Sequence, residues 1–136
     1  MKQLLLIFSF LVTVQVTNAQ IIRDSTTILI EGTFAKDGKI VLKPGYEFKV
    51  STDNRVATVV AISNNKVKGT YICSCPLENG TCTTSNYGKS LDCGGSTCCE
   101  FIVTSSVKML STFTRDKINN SPDVKWKVLK LPAKTN

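Results

Sequence analysis

The chain has 136 residues, with 17 lysines and arginines against 10 aspartates and glutamates, a net charge of +7, and no histidine. The missing histidine removes the commonest general base, the usual partner of a serine or cysteine nucleophile and the commonest metal ligand. The length suits one domain with a real apolar core, and no repeat at a fixed period makes it an array.

The opening stretch MKQLLLIFSFLVTVQVTNAQ places Lys2 before an apolar run over residues 4–14, followed by small or polar residues ending at Ala19. This is the layout of a secretory signal peptide, and the run is shorter than the ~20 residues a bilayer requires. Thr17 and Ala19 supply the small side chains a signal peptidase reads, so residues 1–19 are expected to be removed, leaving residues 20–136 as a single β domain. Without Lys2 the basic side chains number 16 against 10 acidic ones, a charge of +6. They are scattered, with one denser group at Lys125, Lys127 and Lys130. The spread predicts a solvated surface with salt-sensitive attraction to anionic polysaccharide, lipopolysaccharide or phospholipid head groups. No nucleic-acid partner and no membrane span are expected.

The rest of the chain is written in strands. From Thr26 to Phe34 the apolar residues Ile28, Ile30 and Phe34 fall on even positions, which predicts one buried face. Asp37-Gly38 is a hairpin signal, because a type I′ turn needs positive φ at both central residues. Ile40 and Leu42 resume the even pattern, Pro44-Gly45 makes a turn, and Tyr46, Phe48 and Val50 continue it with Glu47 and Lys49 opposed. The fragment KIVLKPGYEF resembles a Pro-Gly-aromatic turn of stacked-strand modules in bacterial cell-surface proteins. It implies a turn between strands and no family.

The run RVATVVAIS is apolar or small on both faces, as a central strand covered on both sides would be. A tight turn at Asn64-Asn65 leads into VKGTYICSC, where Val67, Tyr71, Cys73 and Cys75 share a face. On the returning run CCEFIVTSSVKM the set Cys99, Phe101, Val103, Val107 and Met109 points inward, with Cys98 and Glu100 opposed. A last strand carries Val124, Trp126 and Val128 on one face, where core packing is the default role of Trp126 and ligand stacking the alternative. TFTRDKIN is compatible with one helical turn. The fold class is therefore mainly β, about six to eight strands in a small antiparallel sandwich or partly open barrel with a cysteine-rich stapled loop.

All six cysteines lie within residues 71–101, at Cys73, Cys75, Cys82, Cys93, Cys98 and Cys99. Residues 76–97 between the two strands are rich in Gly, Ser, Thr and Asn and carry too little apolar surface to order alone. An even count in an exported chain predicts three disulfides, among 15 possible pairings that sequence does not separate. Adjacent Cys98 and Cys99 are expected to take separate partners, and a bridge such as Cys73 or Cys75 to Cys99 would close the neck of the loop. The alternative is a thiolate site for Zn²⁺, Cu(I) or an iron–sulfur cluster on Cys73, Cys75, Cys98 and Cys99, although the paired C-x2-C knuckles of zinc sites are missing. Thiol redox catalysis would need an acidified thiolate at a helix start, and neither motif nor helix is visible.

Gly94-Gly95 is not a phosphate loop, since no Lys-Ser/Thr pair follows. The acidic residues fall singly, and read as solvated charge. Asn79 and Asn119 begin glycosylation-type motifs that matter only in a eukaryotic secretory route. Tyr87 stands among polar neighbours in the stapled segment and is the candidate binding anchor. The sequence thus predicts a secreted or periplasmic, non-enzymatic module without a cofactor, presenting residues 76–97 to a protein or glycan partner.

Overall fold

A computed structural model describes residues 25–76, 81–104 and 126–132. The expected leader, the segment TFTRDKIN, Asn79, Asn119, Asn120, Val107, Met109 and Val124 lie outside the described residues. Ten short strands and no helix occur among the described residues, more strands than expected because the cysteine-rich segment contributes two. They are β1 (Ser25–Thr26), β2 (Thr33–Lys36), β3 (Lys39–Leu42), β4 (Tyr46–Val50), β5 (Val56–Ala61), β6 (Lys66–Ser74), β7 (Thr83–Asn86), β8 (Ser90–Gly94), β9 (Glu100–Thr104) and β10 (Trp126–Leu129). A six-stranded sheet runs β1-β10-β9-β6-β5-β4, and a four-stranded sheet runs β2-β3-β8-β7. All pairs are antiparallel except β1 with β10.

Two sheets with open edges make a sandwich, and the expected sandwich holds while the barrel does not. The core between them takes Ile40, Leu42 and Leu91 from the small sheet and Ala57, Val59, Tyr71, Phe101 and Leu129 from the large one. β5 is buried at every residue, as its two-sided apolar pattern predicts. On the other face of the large sheet Val56, Ile72 and Ile102 form a second cluster, and half-buried Trp126 packs against it. Packing is thus the role the structure gives Trp126. Phe101 and Val103 join the central core as the alternation predicts.

The turn at Asp37-Gly38 forms as its sequence demands, with φ of 53° and 73° and β2 and β3 in register from Thr33↔Leu42 to Lys36↔Lys39. The expected continuous strand from Thr26 to Phe34 does not. After β1 the chain leaves the large sheet, turns at Gly32 with φ of 89° and enters the small sheet as β2. This transfer breaks the even-face rule: Ile30 is buried, but Ile28 is 75% and Phe34 38% exposed. The Pro44-Gly45 turn likewise carries the chain from β3 in one sheet to β4 in the other. In β6 a register shift pairs Val59 with Gly69 but Val60 with Val67, which puts Val67 on the opposite face from Tyr71 and corrects the shared face expected from alternation.

One buried polar cluster ties the crossing segment down. The Ile30 N–H donates to Tyr71 Oη at 2.8 Å, and Thr33 Oγ1 lies 2.7 Å from the same oxygen. Since Thr33 Oγ1 donates to the Ile30 carbonyl at 2.7 Å, the Tyr71 hydroxyl must donate to Thr33. The three groups close a ring of hydrogen bonds in which each donates once, so Tyr71 is fully buried without an orphaned hydroxyl.

Candidate functional site

The segment expected as a stapled loop contains a strand hairpin. β7 and β8 pair from Thr83↔Gly94 to Asn86↔Leu91, and β8 joins β3 at Ile40↔Leu91 and Val41↔Ser90. The composition argument missed this because Leu91 and Cys93 alternate inside a polar stretch and bury against a distant strand. A further bond fixes the rear of the hairpin, where the Thr84 N–H donates to the Asn54 carbonyl at 2.5 Å.

All six cysteines are in disulfides. Cys73 bonds Cys93, Cys75 bonds Cys98 and Cys82 bonds Cys99, with Cα separations of 5.4, 5.1 and 5.6 Å. Cys73 lies on the face of β6 turned toward the small sheet, so its bridge to β8 runs between sheets. Cys75 follows the end of the β6–β9 ladder and meets Cys98, not the Cys99 offered as an example from sequence. The turn that Cys99 closes onto Ser96 at 3.3 Å sends the two adjacent cysteines to different partners, as expected. The sulfurs form their own cluster, with Cys73, Cys75 and Cys82 buried and Cys93, Cys98 and Cys99 packed against them.

This bonding argues against the thiolate metal alternative, because Cys73, Cys75, Cys98 and Cys99 have no thiolate to offer. Among the described residues no group of three or more His, Cys, Asp or Glu could hold a metal ion.

Tyr87 stands at the tip of the hairpin and is 67% exposed. Its N–H donates to the Ser90 carbonyl at 2.9 Å, and the Lys39 ammonium lies 5.0 Å from the centre of its ring. Since β8 separates β3 from β7, the ring leans across the small side chain of Ser90 toward Lys39. The contact is a cation–π pair that holds the ring over the outer face of the small sheet.

Hollows among the described residues lie elsewhere. A cleft of about 390 Å³ at the crossing segment is lined by Ile28, Ile30, Val103, Lys127 and the Glu31–Lys68 pair. The Lys68 ammonium sits 3.1 Å from Glu31, and the Tyr46 hydroxyl donates to the same carboxylate at 3.1 Å. Lys68 first and Tyr46 second hold the Glu31 carboxyl below its ordinary pKa. A second hollow of about 240 Å³ near the sulfur cluster is lined by Asp92, Glu100, Phe101 and Leu131. Sequence reasoning picked out none of these lining residues as a site, because each hollow is assembled from segments far apart in the chain.

Architecture and bonding define the class: a small, disulfide-rich β module, a kind of domain typical of extracellular or periplasmic proteins. Among the described residues no helix is long and apolar enough to cross a membrane. No protein-family model, curated protein or solved structure matches the chain.

Proposed function

We propose that the chain is an exported, non-enzymatic binding module whose braced β7–β8 hairpin presents Tyr87 to a protein or glycan partner. The observation that carries this reading is a large aromatic side chain 67% exposed at the tip of a hairpin that is bridged to the neighbouring sheet. A ring held in place before binding loses little freedom when a partner arrives. The lack of histidine supports a role without acid–base chemistry, and the three disulfides fit an oxidising compartment.

The test is binding of the oxidised protein to an array of envelope and matrix glycans and proteins, repeated with Tyr87→Ala. The variant should lose about tenfold or more in affinity for what the native protein binds, with a Tm within about 2 °C of native. Equal binding by the variant would refute Tyr87 as the anchor.

A further inference from the structure

The outer face of the four-stranded sheet has a pattern that stability alone does not explain. The pairs Phe34↔Val41 and Val41↔Ser90, continued by the Tyr87–Ser90 bond, set these four residues in one row across β2, β3, β8 and the hairpin tip. At about 4.8 Å between strands the row spans about 14 Å. Its ends are aromatic and exposed, Phe34 at 38% and Tyr87 at 67%, while Val41 and Ser90 between them are lower and half-buried.

Beside this row Lys36 and Lys39 stand directly opposite each other across the Asp37-Gly38 turn. Like charges in that position repel and weaken the hairpin. Among the described residues neither lysine has a carboxylate partner, and neither has exposed Lys89 next to Tyr87. Asp92 is occupied in part by the Cys93 N–H at 2.9 Å. The face is therefore a flat aromatic platform flanked by cations that nothing in the described fold neutralises.

We infer that this face binds an acidic polysaccharide, with Lys36 and Lys39 meeting its carboxylate or sulfate groups and Phe34 and Tyr87 stacking on its sugar rings. The inference rests on the binding role proposed above and names the partner's chemistry. Sugar rings present apolar C–H faces that suit the electron-rich face of an aromatic ring, and they need no deep pocket. Lysine is a compact charge on a flexible stem, which suits anionic groups repeated along a flexible chain better than a fork of fixed geometry. A charge of +6 without the expected leader steers such polyanions toward the protein, and the hydroxyls of Thr83 and Ser85 on the same face offer hydrogen bonds.

The experiment measures affinity of the oxidised protein for polygalacturonate, dextran sulfate and neutral dextran from about 20 to 500 mM salt. The variants are Lys36→Gln/Lys39→Gln, Tyr87→Ala and, on the other sheet, Lys127→Gln/Lys130→Gln. The native protein should bind at least one acidic chain and ignore dextran. The Lys36/Lys39 variant should bind about tenfold or more weakly with a shallower salt dependence, and its Tm should stay within about 2 °C of native, because the relieved Lys36–Lys39 repulsion offsets the lost contact between Lys39 and the Tyr87 ring. Tyr87→Ala should weaken binding at every salt concentration without changing that dependence. A Lys127/Lys130 variant that loses as much as the Lys36/Lys39 variant would reduce the effect to diffuse charge and overturn the inference, as would indifference to both acidic chains. If the acidic chains are ignored while a neutral glycan or a protein binds in a Tyr87-dependent way, the inference falls and the binding role stands. If Tyr87→Ala binds every probe as the native protein does, both fall.

Discussion

Replacing Tyr71 by Phe tests the hydrogen-bonded ring that fastens the crossing segment to the core. The phenyl ring keeps its edge-on contact with Phe101, 6.0 Å between centres, so packing changes little. What is lost is the oxygen that accepts from the Ile30 N–H and donates to Thr33. The buried Ile30 N–H becomes an unpaired donor, which costs about 1–3 kcal/mol, and Thr33 loses one of its two bonds, about 0.5–1.5 kcal/mol more. A total near 3 kcal/mol corresponds to a fall in Tm of about 12 °C for a domain of this size. Urea denaturation with disulfides intact should show a lower midpoint at unchanged slope. Thr33→Val breaks the same ring, so the double variant should be less destabilised than the sum of the singles by about 1 kcal/mol. A loss under about 0.5 kcal/mol for Tyr71→Phe, or strict additivity, would refute the ring as a stabilising unit.

Burial raises the Tyr71 pKa above 10.0, against the opposing pull of the Thr33 and Ile30 bonds. The folded state then holds this proton more tightly than the unfolded one. Its contribution is complete below pH 10 and is lost as pH rises through the folded value, so the stability gap between native and Tyr71→Phe proteins should narrow in alkaline denaturation series. A gap constant above pH 10 would count against the burial. Removing the inter-sheet bridge with Cys73→Ala/Cys93→Ala frees a segment closed over a separation of 20 residues and should cost about 3 kcal/mol in guanidinium unfolding. A cost under about 1 kcal/mol would mean that the other two bridges already supply the restraint. Gly32 and Gly38 have similar φ, 89° and 73°, but a Cβ on Gly32 would collide with the Tyr46 ring whereas one on Gly38 meets nothing within 4 Å. Gly38→Ala should therefore cost about 1 kcal/mol of backbone strain and Gly32→Ala at least twice that; equal losses would disprove the steric contribution.

How far the fold could be read from sequence depended on the range of the interactions. The β2–β3 hairpin was legible because Asp37-Gly38 carries its own conformational demand, and β5 because apolar residues on both faces require cover on both. Ile28 and Phe34 were misread because alternation assumes one uninterrupted strand, and Gly32 ends it by moving the chain between sheets. The β7–β8 hairpin escaped notice because its order comes from β3, some 50 residues away, and from sulfurs that fill space as apolar groups do. Tyr87 was visible as an aromatic in polar company. Its partner Lys39 was not, since only strand order brings them together. Disulfide partners could not be read either, because the pairing depends on how β6, β8 and β9 are arranged.

The three disulfides join the first cysteine to the fourth, the second to the fifth and the third to the sixth, so each closed segment contains the hairpin tip at residues 87–89. A protease that cut the chain beside exposed Lys89 would leave two fragments still held together by all three bridges. The exposed tip thus lies within the stretch between Cys82 and Cys93 where a nick separates nothing until the sulfurs are reduced. For the recognition surface proposed at this tip, the crossed bridges amount to tolerance of damage.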